Sequence, residues 1–139
     1  MQLNGIAHIQ LTVRDLPRSR TFWKPLLELF EMKILLDTET YFYCIGSRTG
    51  IALSPIDPKH AGDRFDQRRT GLHHLCLRAR ERSDVDAIHD FVVARHAQIV
   101  HPPREDGFAP GYYSVLFEDP DGIRIEVNHV PGRGHLEAS

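Results

Sequence analysis

The chain has 139 residues, of which 26% are charged, and its formal net charge at pH 7 is -2. This length is typical of one domain with its own core, and the weakly acidic balance offers no basic surface for nucleic acid. No apolar run approaches the roughly 20 residues of a membrane-spanning helix, so we expect neither a nucleic-acid nor a membrane partner. Both cysteines lie inside apolar runs and no apolar leader begins the chain, which predicts reduced thiols and a cytoplasmic location.

The first predicted strand is repeated later in the chain. GIAHIQLTVRD, residues 5–15, matches GLHHLCLRARE, residues 71–81, at a constant offset of 66. The match aligns the leading glycines and the alternating aliphatic residues, and it places His8 opposite His74. A duplicated structural unit is therefore predicted.

Each copy is followed by a predicted helix and then by three predicted strands. Apolar residues at helical spacing form both helices, and the second should start near Ser83, which makes a capping-box pattern with Asp86. The strands are MKILLDT, TYFYCIG and GIALSPI in the first copy, and AQIV, YYSVLFE and GIRIEVNHV in the second. The last strands match at an offset of 72, which places Ser54 opposite Glu126. HPPREDGFAPG, residues 101–111, is predicted to be a loop because of its Pro and Gly content.

This order predicts an α+β fold built from two tandem β-α-β-β-β modules. The first module spans residues 4–55, a polar linker follows at 56–70, and the second module spans 71–130 before a short C-terminal tail. We expect the modules to form a single domain, residues 1–139, in which a curved mixed sheet surrounds a central cavity.

Period-two alternation predicts which side chains face that cavity. The aliphatic sides of the strands should cover the helices, and the polar sides should line a wet cavity, because a dry core tolerates polar groups only when they have partners. His8, His74 and Glu126 all lie on the polar sides. His73 is expected on the helix side or at the fraying start of its strand.

Two imidazoles and one carboxylate from three separate strands match a facial set of metal ligands that leaves coordination positions open. A divalent ion held by His8, His74 and Glu126 could bind an anionic oxygen ligand and stabilise an enolate or a peroxide as it develops. Since Ser54, at the repeat position of Glu126, is a poor ligand, three protein ligands are predicted.

The modules resemble the vicinal oxygen chelate superfamily, which includes glyoxalase I, bleomycin-resistance proteins, fosfomycin-resistance enzymes, methylmalonyl-CoA epimerase and extradiol dioxygenases. The similar stretches are HIQLTVRD with the following SRTFWKPLLE, then HLCLRA, and above all GYYSVLFEDPDGIRIEV. The resemblance spans residues 4–130. It implies the same three metal ligands, a single Fe²⁺, Mn²⁺, Zn²⁺ or Ni²⁺ ion, a small oxygenated substrate and a homodimer.

Three activities stay open under this resemblance. A glyoxalase-like lyase or isomerase would use a carboxylate or a tyrosine, with Tyr112 and Tyr113 as candidates, to move a proton beside a polarised carbonyl. An extradiol dioxygenase would bind Fe²⁺, with His60 as the acid–base group and Gln10 beside the first ligand. A metal-free protein of the bleomycin-resistance kind would sequester its ligand in the same cavity.

The remaining candidates concern substrate binding. Arg78 and Arg124 lie on the polar sides of their strands and could hold a carboxylate through a bidentate pair. Tyr43, in a middle strand, and Ser54, at the end of the first module, are further candidates to line the cavity, together with Gln10.

Overall fold

The computed structural model describes residues 1–3 and 5–132, so most of the predicted C-terminal tail lies outside the described residues. The chain forms two compact units, one from Met1 to Arg64 and the other from Phe65 onward. Each unit holds one predicted module. Among the described residues, no helix is long and apolar enough to cross a membrane.

The first module is a four-stranded sheet with one helix. Its elements are β1 (His8–Val13), α1 (Leu16–Leu29), β2 (Lys33–Asp37), β3 (Phe42–Gly46) and β4 (Thr49–Pro55). The strand order is β1-β4-β3-β2, in which β1 runs parallel to β4 and the other neighbours are antiparallel. A short 3-10 turn, Pro58–His60, follows in the linker.

The second module repeats this arrangement. Its elements are β5 (Leu75–Arg78), α2 (Arg82–Val93), β6 (Gln98–Glu105), β7 (Tyr113–Glu118) and β8 (Arg124–His129). The strand order is β5-β8-β7-β6, again with one parallel pair, between β5 and β8. The predicted tandem β-α-β-β-β modules are confirmed, with one mixed sheet in each module.

The helix sides of both sheets carry the cores, as the alternation predicts. In the first module, Trp23, Leu26 and Leu27 of α1 are fully buried, as are Ile51 and Leu53 of β4. Asp15 caps α1 by accepting from the backbone N–H of Arg18 at 2.9 Å. In the second module, buried apolar residues of α2, β7 and β8 include Val85, Ile88, Val92, Val115, Phe117, Ile125 and Val127, and Leu75 of β5 is buried as well.

The pairing of the strands corrects the predicted equivalence between the two modules. Ile9 pairs with Ile51 on β4, whereas its repeat, Leu75, pairs with Ile125 on β8. The final strands therefore correspond at an offset of 74, not 72, and Ala52 rather than Ser54 takes the place of Glu126. A slide of two residues keeps every side chain on its face, so the alternation alone could not reveal it. Ala52 has no donor atom either, so a fourth ligand from this position stays excluded.

Two local predictions were also wrong. The segment predicted as a loop at 101–111 contributes its first five residues to β6, because β6 is an edge strand, whose open side tolerates a proline. Its pairing with β7 is irregular around these residues. The helix α2 starts at Arg82, one residue before the predicted capping residue, and its capping contact runs from the backbone N–H of Glu81 to Asp84, at 3.0 Å.

Two leucines of α1 test the packing of the first module. Leu27 is fully buried, whereas Leu29 is 42% exposed, two residues along the same helix. We expect Leu27→Ala to lower the free energy of unfolding by about 2–5 kcal/mol, because it leaves a cavity. Leu29→Ala should cost less than about 1 kcal/mol. Urea unfolding of both variants provides the measurement, and equal losses would contradict the described face of α1.

Candidate functional site

A polar cluster on the second module centres on Glu126. Glu126 lies within β8 and is only 8% exposed, on the face opposite the helix, and Cys76 is its partner on β5. His74, immediately before β5, brings its Nε2 to 3.1 Å from Glu126 Oε2. His74 and Glu126, two of the three predicted metal ligands, are therefore in direct contact within one module.

Tyr112 holds the second oxygen of the same carboxylate. Its hydroxyl donates to Glu126 Oε1 at 2.6 Å, so both carboxylate oxygens have a partner. Burial raises the pKa of the Tyr112 phenol above its ordinary value, and the hydrogen bond to Glu126 raises it further. The phenol therefore keeps its proton at neutral pH and acts as a donor.

His73 contacts His74 on the side away from Glu126. The two Nδ1 atoms lie 2.8 Å apart, with the rings nearly perpendicular, so one ring donates and the other accepts. When Nε2 of His74 binds another group, its Nδ1 carries the proton, and this contact orients the ring. His73 is exposed and precedes β5, which agrees with a position at the start of the strand. The sequence contained no spacing signal for a contact between these neighbours.

Cys76 lies beside the same carboxylate. Burial, followed by the negative charge of Glu126, raises the pKa of its thiol to about 12, although part of the residue is exposed. A thiol with this pKa is protonated at neutral pH, and only the thiolate is a good nucleophile or metal ligand. Cys76 is therefore a neutral neighbour of the cluster.

In the first module, His8 is the exposed first residue of β1 and pairs with Gly50 on β4. The ring of Tyr43 lies directly over Gly50, where a Cβ atom would collide with it. Glycine at this position thus lets Tyr43 cover the strand beside His8. Tyr43 and His8 share the polar face of this sheet.

Gln10 and Ser54 are joined on that same face. Gln10 Nε2 donates to Ser54 Oγ at 3.1 Å, and the Tyr41 hydroxyl lies 3.4 Å from Gln10 Oε1. Two predicted substrate-binding side chains therefore satisfy each other. Tyr41, just before β3, extends this set of hydrogen-bonded side chains.

Three further candidates differ in how their polar groups are satisfied. His60, in the linker, bonds Asp63 through Nδ1 at 3.0 Å, and its side chain is 53% exposed. Arg124 pairs with Glu118 at 3.3 Å. Arg78 makes no hydrogen bond or ion pair with any of the described residues.

Tyr113 lies on the opposite side of its sheet from Tyr112. Its hydroxyl donates to Asp86 of α2 at 2.7 Å, and the Arg82 guanidinium lies 3.6 Å from the ring centre. The hydrogen bond to Asp86 raises the pKa of Tyr113. Of the two candidate tyrosines, Tyr112 is therefore the one on the face of Glu126.

One pair of donors in the second module has a spacing that suits two ligands of one divalent ion as well as a direct hydrogen bond. Two ligands about 2.1 Å from one ion lie about 3.0–3.4 Å apart at tetrahedral or octahedral angles. The 3.1 Å between His74 Nε2 and Glu126 Oε2 falls within that range. Among residues 1–3 and 5–132, no three His, Cys, Asp or Glu side chains form a group that could hold an ion, so the contact that fits is a pair.

Known proteins share both the sequence pattern and the fold. A protein of Bacillus subtilis (strain 168), the uncharacterised YqjT, is 28% identical over 86% of this chain and 94% of its own length. The crystal structure of a glyoxalase-like protein from Bacillus halodurans matches with a TM-score of 0.81 at 24% identity, covering 91% of this chain and 96% of that one. This second likeness establishes the shared fold.

A glyoxylase/bleomycin resistance protein/dioxygenase domain from Frankia sp. EAN1pec is 27% identical, with a TM-score of 0.74, over 92% of this chain and 98% of that chain. The sequence profile of one superfamily matches residues 5–127, almost the full extent of the two modules. The chain thus belongs to the Glyoxalase/Bleomycin resistance protein/Dioxygenase superfamily.

Proposed function

We propose that the protein is a metal-dependent enzyme that acts on a small oxygenated substrate, as a lyase or isomerase in the broad sense of glyoxalase. The observation that carries this proposal is the contact between His74 and Glu126, at a separation that suits two ligands of one ion. An imidazole and a carboxylate together suit Fe²⁺, Mn²⁺, Zn²⁺ or Ni²⁺.

His8 is the proposed third ligand. The repeat pairs it with His74, and it lies exposed at the head of β1 as His74 lies just before β5. Ala52 stands at the position of Glu126 in the first module, so the proposed set has three protein ligands. Three ligands leave positions for a substrate with two vicinal oxygens.

The chemistry that the ion would supply is polarisation of a substrate oxygen. Around it, Tyr112 fixes Glu126 by donating to Oε1, and its raised pKa keeps the proton on the phenol. His73 orients the ring of His74. Arg78, which has no partner among the described residues, is available to bind a substrate carboxylate. Tyr113 has no role in this proposal, because it faces α2.

Metal binding is the first prediction. Each candidate ion, added at 100 times its Kd, should raise the free energy of unfolding by about 2.7 kcal/mol. His74→Ala, Glu126→Gln and His8→Ala should each weaken binding by more than about 100-fold, beyond the usual effect of an outer-shell change. Isothermal titration calorimetry under anaerobic conditions would measure these affinities.

The matched control for metal binding is His101→Ala. His101 lies on β6 and bonds the Pro102 carbonyl, so its loss should leave the affinity unchanged. If His8→Ala behaves like this control while His74→Ala abolishes binding, His8 is not a ligand. If no ion binds, the protein is a metal-free ligand-binding module and the enzymatic proposal is wrong.

The second prediction concerns the groups that hold the ligands. Tyr112→Phe and His73→Ala should each lower the metal affinity by about 10–100-fold, because they release Glu126 and His74 from their present orientations. Tyr113→Phe is the matched control, since it removes the same hydroxyl from the opposite face of the sheet. Equal effects of the two tyrosine changes would contradict the proposed role of Tyr112.

The reaction class can be tested through oxygen consumption. We expect no oxygen uptake with catechols in the Fe²⁺-loaded protein, because the side chain of His60 is 53% exposed to solvent in the linker. Uptake that His60→Ala abolishes would instead establish the dioxygenase alternative. An oxygen electrode provides the measurement, with His101→Ala as the control histidine change.

A further inference from the structure

Two polar atoms on the Glu126 face of the second module are buried without a partner. Ser114 is 1% exposed and Asn128 is 6% exposed, yet neither Ser114 Oγ nor Asn128 Oδ1 makes a hydrogen bond. Buried polar groups nearly always have partners, so each such atom calls for an explanation. Ser114 and Asn128 face each other as partners on β7 and β8, next to the row that contains Glu126.

The orientation of the Asn128 amide follows from its neighbours. The Tyr112 hydroxyl donates to Glu126, so the Asn128 side chain bonds this hydroxyl as the donor, through its nitrogen. Asn128 Oδ1 is then a free acceptor. The Ser114 hydroxyl beside it can donate and accept.

In the first module, the position that corresponds to Asn128 has a hydrogen-bond partner within the chain. Ser54 corresponds to Asn128 by strand pairing, and it accepts a hydrogen bond from Gln10 at 3.1 Å. Cys76 stands at the repeat position of Gln10, and its thiol does not reach Asn128 Oδ1. The polar position is therefore satisfied by the chain in the first module and left without a partner in the second.

Arg78 adds a positive charge to the row of cross-strand partners formed by Ser114 and Asn128. Arg78, on the edge strand β5, is the partner of Asn128 on the side away from Ser114, and it makes no hydrogen bond or ion pair with the described residues. Neighbouring strands lie about 4.8 Å apart. The row thus carries Arg78, Asn128 and Ser114 in order, with the Cα atoms of successive residues about one strand apart.

We propose that Arg78, Asn128 and Ser114 form a substrate subsite for a small hydroxy acid. The hydroxyl of the substrate donates to Asn128 Oδ1 and accepts from Ser114, and its carboxylate pairs with Arg78. The strand spacing favours a hydroxyl on the carbon two removed from the carboxyl carbon. This inference rests on the proposed function, since it takes the face of Glu126 as the substrate face.

The test uses three probes that differ by one group: 3-hydroxypropionate, propionate and 3-hydroxypropionamide. Chemical-shift titration of the ¹⁵N-labelled chain would follow the Asn128 side-chain amide and give each Kd. We expect propionate to bind about ten-fold more weakly than 3-hydroxypropionate, because it leaves both buried groups unpaired. The uncharged amide should lose a similar factor, because it cannot pair with Arg78.

Two variants separate the roles of the subsite residues. Ser114→Ala should remove most of the preference for 3-hydroxypropionate over propionate, while Arg78→Gln should remove the preference for the acid over its amide. Ser83→Ala, an exposed serine on α2, is the matched control and should change neither ratio. Unfolding curves would confirm that the variants remain folded.

Equal binding of 3-hydroxypropionate and propionate by the native chain would overturn the subsite, and an internal water would then bridge the two atoms. A preference that survives Ser114→Ala would overturn it as well. Metal affinity measured on the same samples separates the two proposals. Normal metal binding without hydroxyl preference rejects only the subsite, whereas a clear preference in a chain that binds no ion rejects only the metal-dependent function.

Discussion

The buried carboxylate of Glu126 is the constraint around which the second module is organised. A carboxylate removed from water needs partners for its oxygens, and leaving one unpaired costs several kcal/mol. Tyr112 supplies one partner and His74 the other, at 2.6 and 3.1 Å. Because Tyr112 precedes β7 and His74 precedes β5, these two contacts tie both loops to the central strand β8. The contacts of Tyr112 and His74 with Glu126 thus also stabilise the sheet.

The two modules share a strand order but not a polar face. In the first, Gln10 and Ser54 bond each other, and Tyr43 lies over Gly50. In the second, the corresponding strands carry Cys76, Glu126 and Asn128, with a contact between His74 and Glu126 and an unpaired buried oxygen on Asn128. On this face, therefore, Gln10 and Ser54 bond each other in the first module, whereas Asn128 Oδ1 and Ser114 Oγ have no hydrogen-bond partner in the second. This division supports the placing of substrate recognition on the second module.

Alternation assigned the faces of Leu11, Val13 and Glu126 correctly, because a strand's side-chain period is independent of what the strand pairs with. The matching glycines, however, misaligned the last strands by two residues. Gly122 occupies a turn with a positive φ, whereas Gly50 lies in a strand under an aromatic ring. Glycine is required at these two positions for different physical reasons, and the sequence similarity between the two segments could not distinguish them.

What the sequence determined by itself is the local and periodic part: two modules, their helices, the buried faces, and the polar face on which His74 and Glu126 lie. Tertiary structure decided the rest, namely that Ala52 replaces Ser54 opposite Glu126, that Tyr112 rather than Tyr113 reaches the carboxylate, and that His73 contacts His74. The physical reason is that periodicity is a property of one strand, whereas register and hydrogen-bond partners depend on how far neighbouring strands slide and where their loops return.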